Sequence, residues 1–330
     1  MENTRNKTSL LTVGSIAYDS VRTPHAKSEN VLGGSATYFS FSASFFSPVC
    51  LVAIVGEDFA EKDLALFKNH GIVTDYLERT PGKTFRWSGE YRQDMNVCDT
   101  LDTELNVLAN FNPHLTANNC NPSYLFLANI DPDLQLQVLQ QTHTRPNLVA
   151  ADTMNLWIES KPEALRKVIK SVDTLFVNES EAHLIGETNH SIDASHRIRD
   201  MGVGTVILKQ GEYGAMTLSS APLFLAPAYP VTNVVDPTGA GDAFAGGVMG
   251  YLASRQSHTP AEIRQAVVIG SVMASFAVES FGPYRLAEVT TEEIRTRIQA
   301  LETFVGWDNL TDNPIPLRGF HTNFGTSTIY

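Results

Sequence analysis

Cysteine is scarce in this chain. Cys50, Cys98 and Cys120 are the only three in 330 residues, and they lie far apart. An odd number at that spacing excludes a disulfide framework and a cysteine-ligated metal site, and it predicts reduced thiols in a cytoplasmic protein. Basic residues are also short: 24 Lys and Arg stand against 36 Asp and Glu, a net charge of −12. Such a chain has no general attraction for a nucleic-acid backbone or an anionic membrane, so any anion must be held by a local site. No apolar run approaches the roughly 18 residues that span a bilayer. Met1–Ser9 is polar and lacks the apolar stretch of a signal peptide, so the expectation is a soluble protein. Several chemistries are missing as well. There is no G-x-x-x-x-G-K-[ST] loop, no H-E-x-x-H and no G-x-S-x-G elbow. Gly14 follows the first apolar run alone, without the dinucleotide fingerprint.

What is present is an alternation. Apolar runs at Leu10–Ile16, Val49–Val55, Tyr124–Ile130, Leu148–Asp152, Thr174–Val177 and Thr205–Lys209 read as strands. Helical patterns fall between them at Asp58–Asn69, Asp133–Gln140, Pro162–Ser171, Glu179–Ile185 and Ile192–Met201. This order predicts an α/β fold with a mainly parallel sheet covered by helices on both faces. Residues 17–32 and 84–109 break the alternation and read as short strands with polar turns. They predict a small β-sheet lid beside the strand ends, where ligands of open α/β sheets bind. Further helices are expected over Pro237–Ala253, Ala261–Glu279 and Glu292–Leu301.

The strongest local signal is VVDPTGAGDAFAGG, Val234–Gly247. A β-like run ends at Asp236, Pro237 fixes a turn, and Gly239-Ala240-Gly241 opens a helix. The first amides of a helix have no acceptor within it, and with the helix dipole they attract anions. Asp242 then stands where phosphoryl transfer needs a base, and the amides of Gly239, Ala240 and Gly241 stand where phosphate charge needs donors. The plainer alternative is that Asp242 only complements the helix dipole and the glycines only permit close packing.

DPTGAGDAF resembles the C-terminal signature of the ribokinase or PfkB family of carbohydrate kinases, and the likeness runs from about Leu10 to Leu301. The resemblance implies a three-layer α/β/α domain over 1–305 with the small sheet as its lid, followed by a C-terminal tail at 306–330. It also implies an ATP-dependent kinase of a sugar-like hydroxyl, with Asp242 as catalytic base and the Gly239–Gly241 turn as anion hole. NESE, from Asn178, is similar to the family's Asn-x-x-Glu motif, so Asn178 and Glu181 are expected to organise Mg²⁺ through water. The same spacing is a helix capping pattern, and both roles are compatible. LKQGEYGA resembles the nucleotide-binding turn, implying Lys209, Gly211 and Gly214 against ATP, with Thr238 beside them. GSIAYD resembles the substrate segment, where Asp19 would clamp hydroxyls. GGSATY resembles the Gly-Gly motif, bringing Gly33, Gly34 and Tyr38 to the acceptor. Asp236 matches a position that holds K⁺ in some relatives.

Departures from the pattern bear on the acceptor. Ala17 and Tyr38 stand where ribokinase-like members often carry sugar-binding asparagines, which argues against ribose; Tyr38 could stack on a ring instead. Asn155, in DTMNLW, is a further candidate acceptor contact, but the arginine that follows it in some members is absent. Arg86 in the lid would suit an acidic or phosphorylated group. The alternatives are a nucleoside kinase of the same fold, a non-catalytic ligand-binding protein, and, for assembly, a homodimer through the lid.

Overall fold

The structure is a computed structural model that describes residues 10–116 and 121–305. The chain begins with strands β1 (Leu10–Val13), β2 (Ala17–Arg22) and β3 (Lys27–Gly33), then helix α1 (Ser35–Ser44). Next come β4 (Val49–Gly56), α2 (Glu61–Asn69), β5 (Val73–Thr80), β6 (Phe85–Tyr91) and β7 (Cys98–Glu104). The middle runs β8 (Tyr124–Leu127), α3 (Pro132–Gln140), β9 (Leu148–Ala151), α4 (Asn155–Ser160), α5 (Pro162–Ser171), β10 (Thr174–Asn178), α6 (Glu179–Gly186) and α7 (Ser191–Asp200). It closes with β11 (Thr205–Lys209), β12 (Ala215–Leu218), β13 (Phe224–Ala226), α8 (Ala240–Arg255), α9 (Pro260–Ala277), α10 (Tyr284–Glu288) and α11 (Thr291–Val305).

The apolar runs become strands sealed on both faces. Nine strands form one sheet in the order β13-β12-β11-β10-β9-β8-β1-β4-β5. Pairing is parallel from β5 across to β11, and a hairpin adds β12 and β13 antiparallel at the edge. Side chains alternate along a strand. Leu125 and Leu127 therefore enter one core with α3, α5, α6 and α7, while Tyr124 and Phe126 enter another with α1 and α8. In that second core the Phe39 and Phe126 rings stack at 4.1 Å. The remaining strands form a four-stranded sheet, β3-β2-β6-β7. The mainly parallel sheet and the separate small sheet are both as the sequence predicts.

Several elements differ from expectation, three of them for a clear local reason. The first strand stops at Val13, not Ile16, because the chain turns there toward the small sheet, and Ser15 and Ser35 fasten the turn by exchanging hydrogen bonds. Helix α2 starts at Glu61, not Asp58; the Asp58 carboxylate is drawn away by the Thr84 amide and hydroxyl, both at 2.7 Å, and by Arg86. Strand β5 was not expected, since VTDYLERT is polar and half-exposed, as an edge strand allows. The tail at 306–330 lies outside the described residues, as does Cys120.

Candidate active site

Three neighbouring parallel strands end in polar side chains. Asp152 follows β9, Asn178 ends β10 and Lys209 ends β11. Lys209 Nζ donates to Asp152 Oδ2 at 2.6 Å, and Asp152 is only 3% exposed. Burial alone would lower the lysine pKa, but the carboxylates of Asp152 and Glu181 outweigh it and raise it, so Lys209 stays a cation. Asn178 and Glu181 close a capping box on α6: the Glu181 amide donates to Asn178 Oδ1 at 2.9 Å, and the Asn178 amide donates to Glu181 Oε2 at 2.8 Å. The capping role expected from their spacing is thus realised.

Helix α8 aims its start at this cation. The backbone amides of Val235 and Asp236 both donate to Val278 O, fixing the approach. Gly239 then takes φ 75°, in the left-handed region where a Cβ is penalised, and a Cβ there would also overlap the Tyr38 ring. The Ala240 amide donates to Pro237 O at 3.1 Å, so one of the three expected anion donors closes the turn instead. In its place stands Lys209, whose Nζ lies 3.1 Å from where a Cβ on Gly241 would be. Asp242 sits in the first turn of α8. Part of its surface stays accessible, yet atoms crowd its carboxylate. Burial, then the Asp152 carboxylate, pushes its pKa well above the usual range; Lys209 pulls it back down, and Asp19 and Glu181 push it up again. The result is a carboxylate with strengthened affinity for a proton.

The acidic groups around Asp242 are unusually dense. Asp19, in β2, is 4% exposed, and burial raises its pKa to about 7 despite a hydrogen bond from the Gly34 backbone. Gly33 is what lets it approach, since a Cβ there would overlap Asp19 Oδ2. Burial likewise raises Glu181 to about 7. Asp236 is 1% exposed; its Oδ1 accepts from the Thr238 amide at 2.9 Å, and its Oδ2 is buried without a hydrogen-bond partner.

A cavity of about 560 Å³ opens beside the Lys209 end of the site. Lys209, Gly211, Gly214, Ala240 and Gly241 line its polar end, and Val231, Val234, Phe244, Ala274 and Val278 its apolar end. Its size suits an organic ligand. Other expected residues fall elsewhere. The Tyr38 ring is 1% exposed and packs beneath Gly239 rather than in the open. Arg86 pairs with Asp58 at 2.9 Å, hydrogen-bonds Asn30 and lies over the Tyr18 ring. Asn155 is exposed at the start of α4 and does not line the cavity. Sequence reading missed Asp152, whose signal is its place as the polar residue that closes an apolar run, a place Asn178 and Lys209 share. It missed Tyr91 as well, whose hydroxyl accepts from Thr238 Oγ1 at 3.3 Å and which no local pattern marks. Among the described residues no helix is long and apolar enough to cross a membrane, and no group of three or more His, Cys, Asp or Glu could hold a metal ion directly.

A helix start beside a lysine cation, at the open end of a parallel sheet, is an arrangement suited to binding phosphate. The family model described as pfkB family carbohydrate kinase matches residues 7–289. The chain belongs to that family. It is 25% identical to the cytidine kinase of Thermococcus kodakarensis over 284 residues, which is 84% of this chain and 98% of that one. It is 31% identical to the aminoimidazole riboside kinase of Salmonella typhimurium over 37% of this chain and 38% of the other. In structure it superposes on the nucleoside kinase of Burkholderia thailandensis bound to inosine with a TM-score of 0.73 at 20% identity, covering 91% of this chain and 100% of that chain.

Proposed function

We propose that this protein transfers the γ-phosphate of ATP to a ribosyl hydroxyl of a nucleoside, with Asp242 as general base. The observation that carries the reading is Asp242 itself, a carboxylate of raised proton affinity in the first turn of a helix whose start faces the Lys209 ammonium. Asp19, with Gly33 and Gly34 beside it, accepts hydrogen bonds from the acceptor's hydroxyls. Asp242 takes the proton as the acceptor oxygen bonds to phosphorus; the bridging P–O bond breaks and ADP leaves. Lys209 and the amides of Gly239 and Gly241 carry the charge on the moving phosphoryl group. Gly211, Gly214 and Thr238 lie along the nucleotide side, and the small sheet acts as lid.

Bound Mg²⁺ would neutralise phosphate charge. Asn178 Oδ1 and Glu181 Oε2 are already engaged in the cap, which suits contact through water. Asp236 Oδ2, buried and unpartnered, fits a monovalent cation, and K⁺ is the ion proposed there. A nucleoside is favoured over a free sugar because relatives of this chain are named for cytidine and for aminoimidazole riboside. Pairing of two copies along the exposed edge strands β3 and β7 belongs to the same reading, and sedimentation as a monomer at every concentration would remove it.

The test is ADP release across nucleosides, pentoses, hexoses, polyols and sugar phosphates, with Mg²⁺ and with or without K⁺. A nucleoside should give turnover, and Asp242→Asn should lower kcat about 10²–10⁴-fold while the variant stays folded. Near-normal turnover in Asp242→Asn removes the assigned base. Turnover with free sugars alone overturns the nucleoside acceptor.

A further inference from the structure

The cavity beside Lys209 has a wall that the main domain does not supply. Asp94, Met95 and Asn96, at the tip of the β6–β7 hairpin, line it together with Gly211 and Gly241. Asn96 Oδ1 lies 3.4 Å from where a Cβ on Gly211 would be. These residues are carried by the same four-stranded sheet that holds Asp19, since Asp19 in β2 is in register with Trp87 in β6.

The tip is internally braced. The Arg92 amide donates to Val97 O at 2.9 Å and the Met95 amide to Arg92 O at 2.9 Å. Asp94 Oδ1 accepts from the Asn96 amide at 3.1 Å, and Arg92 makes two hydrogen bonds to Asp99, at 2.9 and 2.8 Å. The charge of Arg92 and one oxygen of Asp94 are therefore taken up within the hairpin. The Met95 side chain and the Asn96 amide group are left for the cavity. Just below the tip, where Tyr91 pairs with Cys98, Thr238 Oγ1 donates to the Tyr91 hydroxyl at 3.3 Å, joining the end of β6 to the turn that precedes α8. The hairpin is thus fastened next to its tip to the turn before α8, and the tip itself covers the neighbouring cavity.

We infer that the β6–β7 tip is part of the donor-nucleotide site, with Met95 covering the bound nucleoside triphosphate and Asn96 hydrogen-bonding it. Met brings a flexible apolar chain and Asn a group that both donates and accepts. The small sheet then touches both substrates, the acceptor through Asp19 and the donor through Met95 and Asn96. This rests on the reading that the cavity holds ATP.

The test is calorimetric titration of the full-length protein with Mg²⁺ and a non-hydrolysable ATP analogue, without acceptor. Met95 has φ 59°, so Met95→Gly removes the side chain and keeps a residue at ease in that conformation. Asn96→Ala removes the amide group, and Leu101→Ala, on exposed β7, is the control. Met95→Gly and Asn96→Ala should each raise Kd about 5–10-fold while Leu101→Ala leaves it unchanged, with unfolding midpoints of the nucleotide-free proteins unaltered. If Met95→Gly does not fold, Asn96→Ala decides alone. Tight binding by the wild type with equal Kd in the variants overturns the inference and leaves the proposed function standing. Equal weakening in Leu101→Ala overturns it too, by making the effect one of the whole sheet. No binding by the wild type overturns both readings.

Discussion

Every residue of strands β8 and β9 is buried, whereas six of the seven residues of β7 are exposed. The two sheets meet at one site and bring opposite properties to it. The nine-stranded sheet holds Asp152, Asn178 and Lys209 at the ends of strands whose side chains are packed on both faces. Charges there sit in a poor dielectric and interact strongly, as the Lys209–Asp152 pair and the raised Glu181 show, and the buried inner side of the small sheet does the same for Asp19. The small sheet is wet on its outer side and holds Arg86 and Arg92 in ion pairs with partly exposed Asp58 and Asp99. Such pairs contribute little to stability, unlike the buried pair on the main sheet.

Four experiments probe that contrast. The largest effect belongs to Lys209→Met. It leaves Asp152 buried and unpaired, which should lower unfolding free energy in urea by about 3–5 kcal/mol and abolish nucleotide binding. Normal stability would mean the pair is not buried in the sense argued. Next is Leu125→Ala, which opens a cavity between the main sheet and its helices and should cost about 2–5 kcal/mol in the same assay. The pH dependence is smaller. Asp19 and Glu181, raised to about 7, hold protons in the folded chain where the unfolded chain has lost them. Stability present in full below the ordinary carboxylate values should fall as pH rises toward 7, by at most about 1.4 kcal/mol per unit for each group. Asp19→Asn should flatten the slope of melting temperature between pH 4.5 and 7, and an unchanged slope would remove Asp19 from it. The smallest effect is Leu101→Ala. This residue is 57% exposed, and its loss should change stability by no more than about 0.5 kcal/mol. A larger loss would show that the outer face of the small sheet is covered in solution.

Legibility in the sequence follows the same division. Strands such as Thr205–Lys209 stand out because burial on both faces leaves an unbroken apolar run, and the polar residue that ends the run falls at the site. The start of α8 is legible because a left-handed turn and a phosphate-sized opening demand glycine. Asp152 was passed over because the reading of DTMNLW went to Asn155, while the position of Asp152 at the end of an apolar run was its only mark. Arg86 reads as a free cation in sequence, since Asp58 lies 28 residues away along the chain. The Tyr91–Thr238 contact spans 147 residues and leaves no periodic trace. Local rules find what the backbone needs nearby and are silent on what the fold brings together.

The packing of Gly239 on Tyr38 has a consequence for how the protein is made. Ser42 Oγ also donates to Ala243 O at 2.6 Å, across 201 residues of chain. The phosphate turn is therefore held in shape by a helix translated long before it. A growing polypeptide can assemble the first parallel strands on the ribosome, but on the proposed function it has no nucleotide site until the segment after Val235 has emerged and docked. Nucleotide capture is in this sense a report that synthesis has passed that point, and bound ATP would favour the last docking step over its reversal.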